Sequence, residues 1–210
     1  MTQWGDDAAM NTGRSNQKWR TRTAIVQATR ELIRSGSDLT MPEVARAALV
    51  AEATAYRYFP DLVSLLTEAM ADLWPAPEVA LEPVAGSTDP VERVAFAAEY
   101  LLRGVITYQG AVRAMIAGTV TRPAAAATRP GYRFGLIDHA LAPLEAGLAV
   151  RNPEAFAQLK RDLAVVVAAE ALYGLTDLCG LAPDEALVSI VRTAMTLTEA
   201  AIRADAAGNG

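Results

Sequence analysis

The stretch Thr40 to Phe59, Thr-Met-Pro-Glu-Val-Ala-Arg-Ala-Ala-Leu-Val-Ala-Glu-Ala-Thr-Ala-Tyr-Arg-Tyr-Phe, constrains this chain more than any other. It reads as two short helices separated by a tight break, the second polar and aromatic. Thr40 is placed to accept from the free N–H groups of a helix start, and Glu43 can reach back to the Thr40 N–H, which makes a capping box. Pro42 fits the first turn because an N–H there has no intrahelical partner. Val44, Ala45 and Ala48 form the inward stripe. After Leu49 and Val50 a second helix is expected from Glu52 to about Tyr58, with Glu52, Thr54, Tyr56, Arg57 and Tyr58 on its outward side. A DNA major groove admits one α-helix, and hydroxyl, aromatic and guanidinium groups on it can reach phosphates, base edges and thymine methyls.

The flanks extend the pattern. Ile25, Ala28, Leu32 and Ile33 recur at helical spacing and end at Ser35-Gly36-Ser37, where Gly36 suits a C-terminal cap. Downstream, Phe59-Pro60-Asp61 breaks the chain, and Leu62, Leu65, Leu66, Ala69, Met70 and Leu73 form a further amphipathic helix. A helix, a second helix, a reading helix and a long helix leading away follow one another. In this order the segment resembles the TetR family of bacterial transcriptional regulators. The resemblance rests on Thr40 with Val44-Ala45, on Thr54-x-Tyr56-x-Tyr58-Phe59 and on Leu65-Leu66, and covers about residues 20 to 66. It implies that Glu52, Ala53, Thr54, Tyr56 and Tyr58 face DNA, with Thr54 and Tyr56 on phosphates. Arg22, Thr40 and Arg57 complete the expected DNA-binding set. Three positions depart from the family pattern: Leu49 stands where a turn glycine is usual, Ala51 where a side-chain cap is usual, and Leu62 where a basic residue is common. Loss of such a cap costs roughly 0.5–2 kcal/mol of helix stability.

Charge is distributed to match. The chain carries −5 overall, yet residues 14–62 carry +3, from Arg14, Lys18, Arg20, Arg22, Arg30, Arg34, Arg46 and Arg57 against five acids, leaving −8 elsewhere. A basic end on an acidic body favours phosphate binding at one place and discourages general nucleic-acid coating. With 52% hydrophobic and 20% charged residues, the 210-residue chain has the composition of a soluble globular protein. The lone Cys179 excludes an internal disulfide, no secretory leader pattern is visible, and the apolar run Leu163 to Leu175 is too short to span a bilayer, so a cytoplasmic, non-membrane protein is expected.

The fold expected is all-α: an N-terminal three-helix helix-turn-helix DNA-binding domain and a C-terminal helical ligand-binding and dimerisation domain. Residues 1–19 lack periodicity and read as a flexible arm, 20–66 as the DNA-binding domain and 67–210 as the larger helical domain. After Trp74-Pro75-Ala76-Pro77, helices are expected at 90–108, 110–120, 132–147, 153–179 and 183–203, punctuated by glycine and proline. Helix 153–179 opens with Asn152 as cap and Pro153 at its first position, and its centre is apolar nearly all round, which requires cover on both sides. One side suits its own core. The other, with Leu187, Ile190, Val191, Ala194, Leu197, Thr198 and Ala201 of the last helix, suits a second copy, and Ala168, Ala169, Ala171 and Gly174 permit close approach. Such a two-fold homodimer matches two half-sites of a pseudo-palindromic operator about one DNA turn apart.

Phe96, Tyr100, Met115, Phe134, Asp138, Glu170 and Tyr173 are the candidate lining of a small-molecule effector site, since aromatic and methionine side chains with a few polar groups suit cavities between helices. Glu170 within so apolar a helix must pair, protonate, reach solvent or meet a ligand, and Arg103 or Arg113 is an available partner. The acids tilt the expected effector towards a neutral or cationic molecule. His139 and Cys179 form no metal-binding cluster, and Cys179, at a helix C-terminal end, is expected to be half-buried and inert. The chain shows no phosphate loop, nucleophile motif or dinucleotide fingerprint, so neither a catalytic residue nor a cofactor is expected. The function expected is a ligand-responsive transcriptional regulator, a homodimeric repressor released from its operator by a small molecule. The rival from another class is a helical small-molecule-binding protein or enzyme in which the helix-turn-helix is structural only.

Overall fold

A computed structural model describes residues 6–37, 39–121 and 131–208. Every regular element among them is helical, and they fall into two compact units: Met1–Leu73 with Tyr108–Pro130, and Trp74–Thr107 with Gly131–Gly210. These compact units are discontinuous in sequence, where the expected division at 66/67 is linear. The helix after the reading helix stays in the first unit, and the chain returns to that unit after Thr107, because Ala111 and Met115 join its core.

In the first unit, α1 (Asp6–Ser35) begins well before Arg20, so residues 6–19 continue a helix instead of forming a separate arm. Adding residues to a helix already nucleated at its packed end is cheap compared with starting one. The helix ends at Gly36, whose φ of 69° places it in the left-handed region. There Ser37 N–H donates to the Leu32 carbonyl and Gly36 N–H to that of Ile33, the two closing bonds of a Schellman motif. Helix α2 (Met41–Ala47) starts on Thr40, whose Oγ1 accepts from Glu43 N–H at 3.3 Å. The Glu43 carboxylate turns to Arg46 at 2.8 Å. Helix α3 (Glu52–Tyr58) starts on Ala51 with no side-chain cap, as expected, and α4 (Leu62–Met70) on Asp61, whose Oδ1 accepts from Ser64 N–H at 2.8 Å. The helix whose apolar spacing runs to Leu73 is α-helical only to Met70.

Ile25, Val44, Ala45, Ala55, Phe59, Leu65 and Leu66 close the core of this unit. Helix α7 (Gln109–Thr121) lies against α4 so closely that a Cβ on Gly118 would sit 2.3 Å from Val63 Cγ2. Arginines pin α1 to the rest. Arg30 Nε donates to the Ala69 carbonyl at 3.0 Å and its Nη2 meets Asp72 at 2.6 Å. Arg22 pairs with Glu68, donates to the Tyr58 carbonyl at 3.2 Å and lies 4.4 Å from the centre of the Phe59 ring.

The second unit is built on α6 (Pro90–Thr107), α8 (Tyr132–Ala140), α10 (Pro153–Val166) and α12 (Pro183–Gly208), with the short helices α5 (Pro77–Ala80), α9 (Leu148–Arg151) and α11 (Ala169–Tyr173) between them. Asn152 Oδ1 caps α10 through Ala155 N–H at 3.0 Å, with Pro153 at its first position. The Trp74 indole takes the place of a side chain at Gly104, where a Cβ would meet it at 2.1 Å, and it packs near Tyr100 and Tyr132. Burial, and after it the neighbouring Tyr100 and Glu78, hold the Tyr132 hydroxyl well above the usual tyrosine range.

The expected helix 132–147 stops at Ala140, and 153–179 is broken. Val167 and Ala168 leave the helical region, and a π-helical turn, Gly174–Leu178, follows α11. Val165, Val166 and Val167 form a β-branched run with restricted rotamers in a helix, and the break lets Val167 and Ala168 both enter the core. The C-terminal end of α8 is held by Arg93, which is 4% exposed. Its guanidinium donates to the carbonyls of Ala140 (3.2 Å), Val84 (2.8 Å) and His139 (2.7 Å), filling the bonds that a helix end leaves open.

Candidate functional site

The break between α2 and α3 is a second Schellman motif. Val50 N–H donates to the Ala45 carbonyl at 2.9 Å and Leu49 N–H to that of Arg46 at 3.2 Å. Leu49 itself has φ of 54°, the sole non-glycine residue with positive φ among those described, and its side chain is 92% exposed. The turn geometry that glycine would give freely is thus imposed on a leucine, and it sets the angle at which α3 leaves α2.

Ala55 is buried and anchors α3, while Glu52, Ala53, Tyr56 and Arg57 on the same short helix are exposed, and Thr54 and Tyr58 are half-buried. The helix therefore presents an acid, a methyl, a phenol and a guanidinium to solvent along one side. The Arg57 guanidinium lies 5.6 Å from the centre of the Tyr58 ring. A cleft of about 660 Å³ runs beside it, and Thr54, Arg57 and Tyr58 share that cleft with Gln17, Lys18 and Thr21 of α1. Ammonium, guanidinium, hydroxyl and amide donors on two helices are the groups that bind a phosphate backbone. Gln17 was not legible as a site residue, because residues 1–19 were expected to form an arm, and Thr21, though inside the expected domain, carries no pattern of its own that marks it.

Two residues of the expected DNA-binding set have other engagements. Arg22 is occupied by Glu68, the Tyr58 carbonyl and the Phe59 ring, so its charge braces the unit. Thr40 caps α2.

The expected effector residues are divided between the two units. Met115 is buried in the core of the first unit, whereas the other six lie in the second. Phe96 and Tyr100 are half-buried on α6, and Tyr173 is half-buried on α11. Phe134 and Asp138 share a concavity between α8 and α10. Glu170 is at the surface and meets Arg133 at 3.5 Å, not Arg103, which pairs with Glu99 at 2.7 Å. The expected interface also divides: Leu187, Ile190, Ala194 and Thr198 form a buried stripe facing α6 and α10, and Ala168 and Ala169 are buried. Val191, Leu197 and Ala201 are half-buried. Cys179 is exposed instead of half-buried, since the π turn leaves it at the surface. Among the described residues no three His, Cys, Asp or Glu side chains converge to hold a metal ion, and no helix is long and apolar enough to cross a membrane.

The first unit is thus a helix-turn-helix DNA-binding unit. Residues 25–69 match the family model of the bacterial regulatory proteins, tetR family. None of the curated proteins compared with the chain matches it. The chain therefore carries a TetR-type DNA-binding domain, which supports a TetR-type DNA-binding transcriptional regulator.

Proposed function

We propose that this chain acts in the cytoplasm as a homodimeric repressor, which binds a pseudo-palindromic operator through α3 and leaves it when a small molecule binds the second unit. The observation that carries the reading is the exposed side of α3, where Tyr56 is 45% accessible beside Arg57, Ala53 and Glu52 on a helix anchored by Ala55. Thr54, Tyr56, Arg57 and Lys18 hold the phosphate backbone, and Glu52 suits a cytosine amino group in the groove.

A second copy is supported by exposed apolar side chains on the helices expected to pair. Leu178 in the π turn and Val188 on α12 are exposed, and a groove of about 330 Å³ between α10–α11 and α12 is floored by Leu175, Ile190, Ala171 and Gly174. Exposed leucine and valine side chains beside an apolar groove suit an association surface. A ligand can release DNA only by binding the low-affinity arrangement of the dimer better than the high-affinity one.

The test is binding of the purified protein to DNA from upstream of its own gene at two salt concentrations, with footprinting. A protected pseudo-palindrome, two chains per site and a steep salt slope are expected, and binding at the non-specific level only would overturn the reading.

A further inference from the structure

We propose that the α8–α10 face of the second unit is a binding site for an organic monoanion with an apolar body, an aromatic or acyl carboxylate. This names the chemical class of the effector and rests on the ligand-responsive reading above. The concavity has a volume of about 410 Å³, within the range of small-molecule sites. Its floor is apolar: the Phe134 ring, 50% exposed, with Ile137, Ala164 and Val165. Its rim carries Arg133, Lys160 and Arg161 against one acid, Asp138.

The pairing of these charges decides the sign of the ligand. Asp138 is already met by Lys160 Nζ at 2.8 Å, and Arg133 reaches Glu170 at 3.5 Å. Arg161 meets no carboxylate among the described residues, and its Nε and Nη2 donate to the neutral Gln158 Oε1 at 3.1 and 2.8 Å. A cationic ligand, the kind favoured by Asp138 and Glu170 read from sequence alone, must displace a protein cation to find a partner. A neutral ligand leaves Arg161 without a counter-ion. A carboxylate over the Arg161 guanidinium, with its apolar body on Phe134 and Val165, satisfies both the charge and the floor.

The experiment is calorimetric titration of the full-length protein with 2-naphthoate and with decanoate, using 2-naphthylmethylammonium as the cationic match. Saturable binding of at least one carboxylate is expected, weakened about tenfold or more in Arg161→Gln, the scale of one hydrogen bond to a charged group. Phe134→Ala should weaken it too, and the ammonium should bind more weakly than the carboxylate. Both side chains are exposed, so the variants should keep the melting curve of the parent protein, which separates lost binding from lost folding. Absence of saturable carboxylate binding, unchanged affinity in Arg161→Gln, or tighter binding of the ammonium would each overturn the site. Adding the carboxylate to the protein–DNA complex separates the two readings. Binding without DNA release keeps the site and overturns its role as effector site, while failure to bind overturns the site and leaves DNA recognition standing.

Discussion

Leu49 offers an internally controlled test of how the turn before the reading helix is held. Two Schellman motifs close helices of the first unit with the same pair of hydrogen bonds, one with Gly36 at φ 69° and one with Leu49 at φ 54°. For an L-residue the left-handed conformation costs roughly 1–2 kcal/mol. Leu49→Gly removes that cost and adds about 0.5–1 kcal/mol through the greater freedom of glycine in the unfolded chain. Because the leucine side chain is 92% exposed, little buried area is lost. The net expectation is a stabilisation of about 0.5–1 kcal/mol, or a rise in melting temperature of roughly 1–4 °C for a chain of this size. Gly36→Leu, the reverse exchange in the same motif, should destabilise by a similar amount, since no atom lies within 4 Å of a Cβ there and only the backbone is strained. Urea and thermal unfolding followed by circular dichroism measure both variants. Leu49→Gly with equal or lower stability, beside a neutral Gly36→Leu, would refute the argument from backbone strain.

Ala51→Ser should supply the missing cap of α3 and stabilise the first unit by about 1 kcal/mol, read as a higher urea midpoint. Tyr56→Ala and Arg57→Ala should each weaken operator binding with unchanged melting curves, since both side chains are exposed, and Arg57→Ala should also lower the salt slope by about one. Normal operator affinity in both variants would count against α3 as the reading helix. Arg93→Met should destabilise by about 3 kcal/mol or more, because it leaves three carbonyls, two of them at the end of α8, without their donor, and a thermal shift assay reads the loss.

Much of the local structure was legible. The Thr40 and Asn152 caps, the Gly36 stop and the stripe of Ile25, Val44, Leu65 and Leu66 all form as the residue pattern implies, because each depends on neighbours within a turn or two of chain. The uncapped Ala51 start and the departure at Leu49 were equally visible, though the left-handed leucine that resulted shows only in the backbone. The break after Val166 leaves no mark in the sequence, since an apolar run with one proline start has the periodicity of an unbroken helix and the pull of the core on Val167 and Ala168 is a long-range effect.

By itself the sequence determined an all-helical chain, the order of its first helices and the polar, aromatic side of α3, for these follow from spacing and capping along the chain. Only the tertiary structure decided which charges stay free. Arg22 is taken by Glu68 and Tyr58 while Arg57 remains exposed; Asp138 and Glu170 are met by Lys160 and Arg133 while Arg161 has only a neutral amide. It also placed Met115 in the core of the DNA-binding unit. Ion pairs and core membership join residues tens of positions apart, and no periodicity along the chain records which distant helix a side chain will meet.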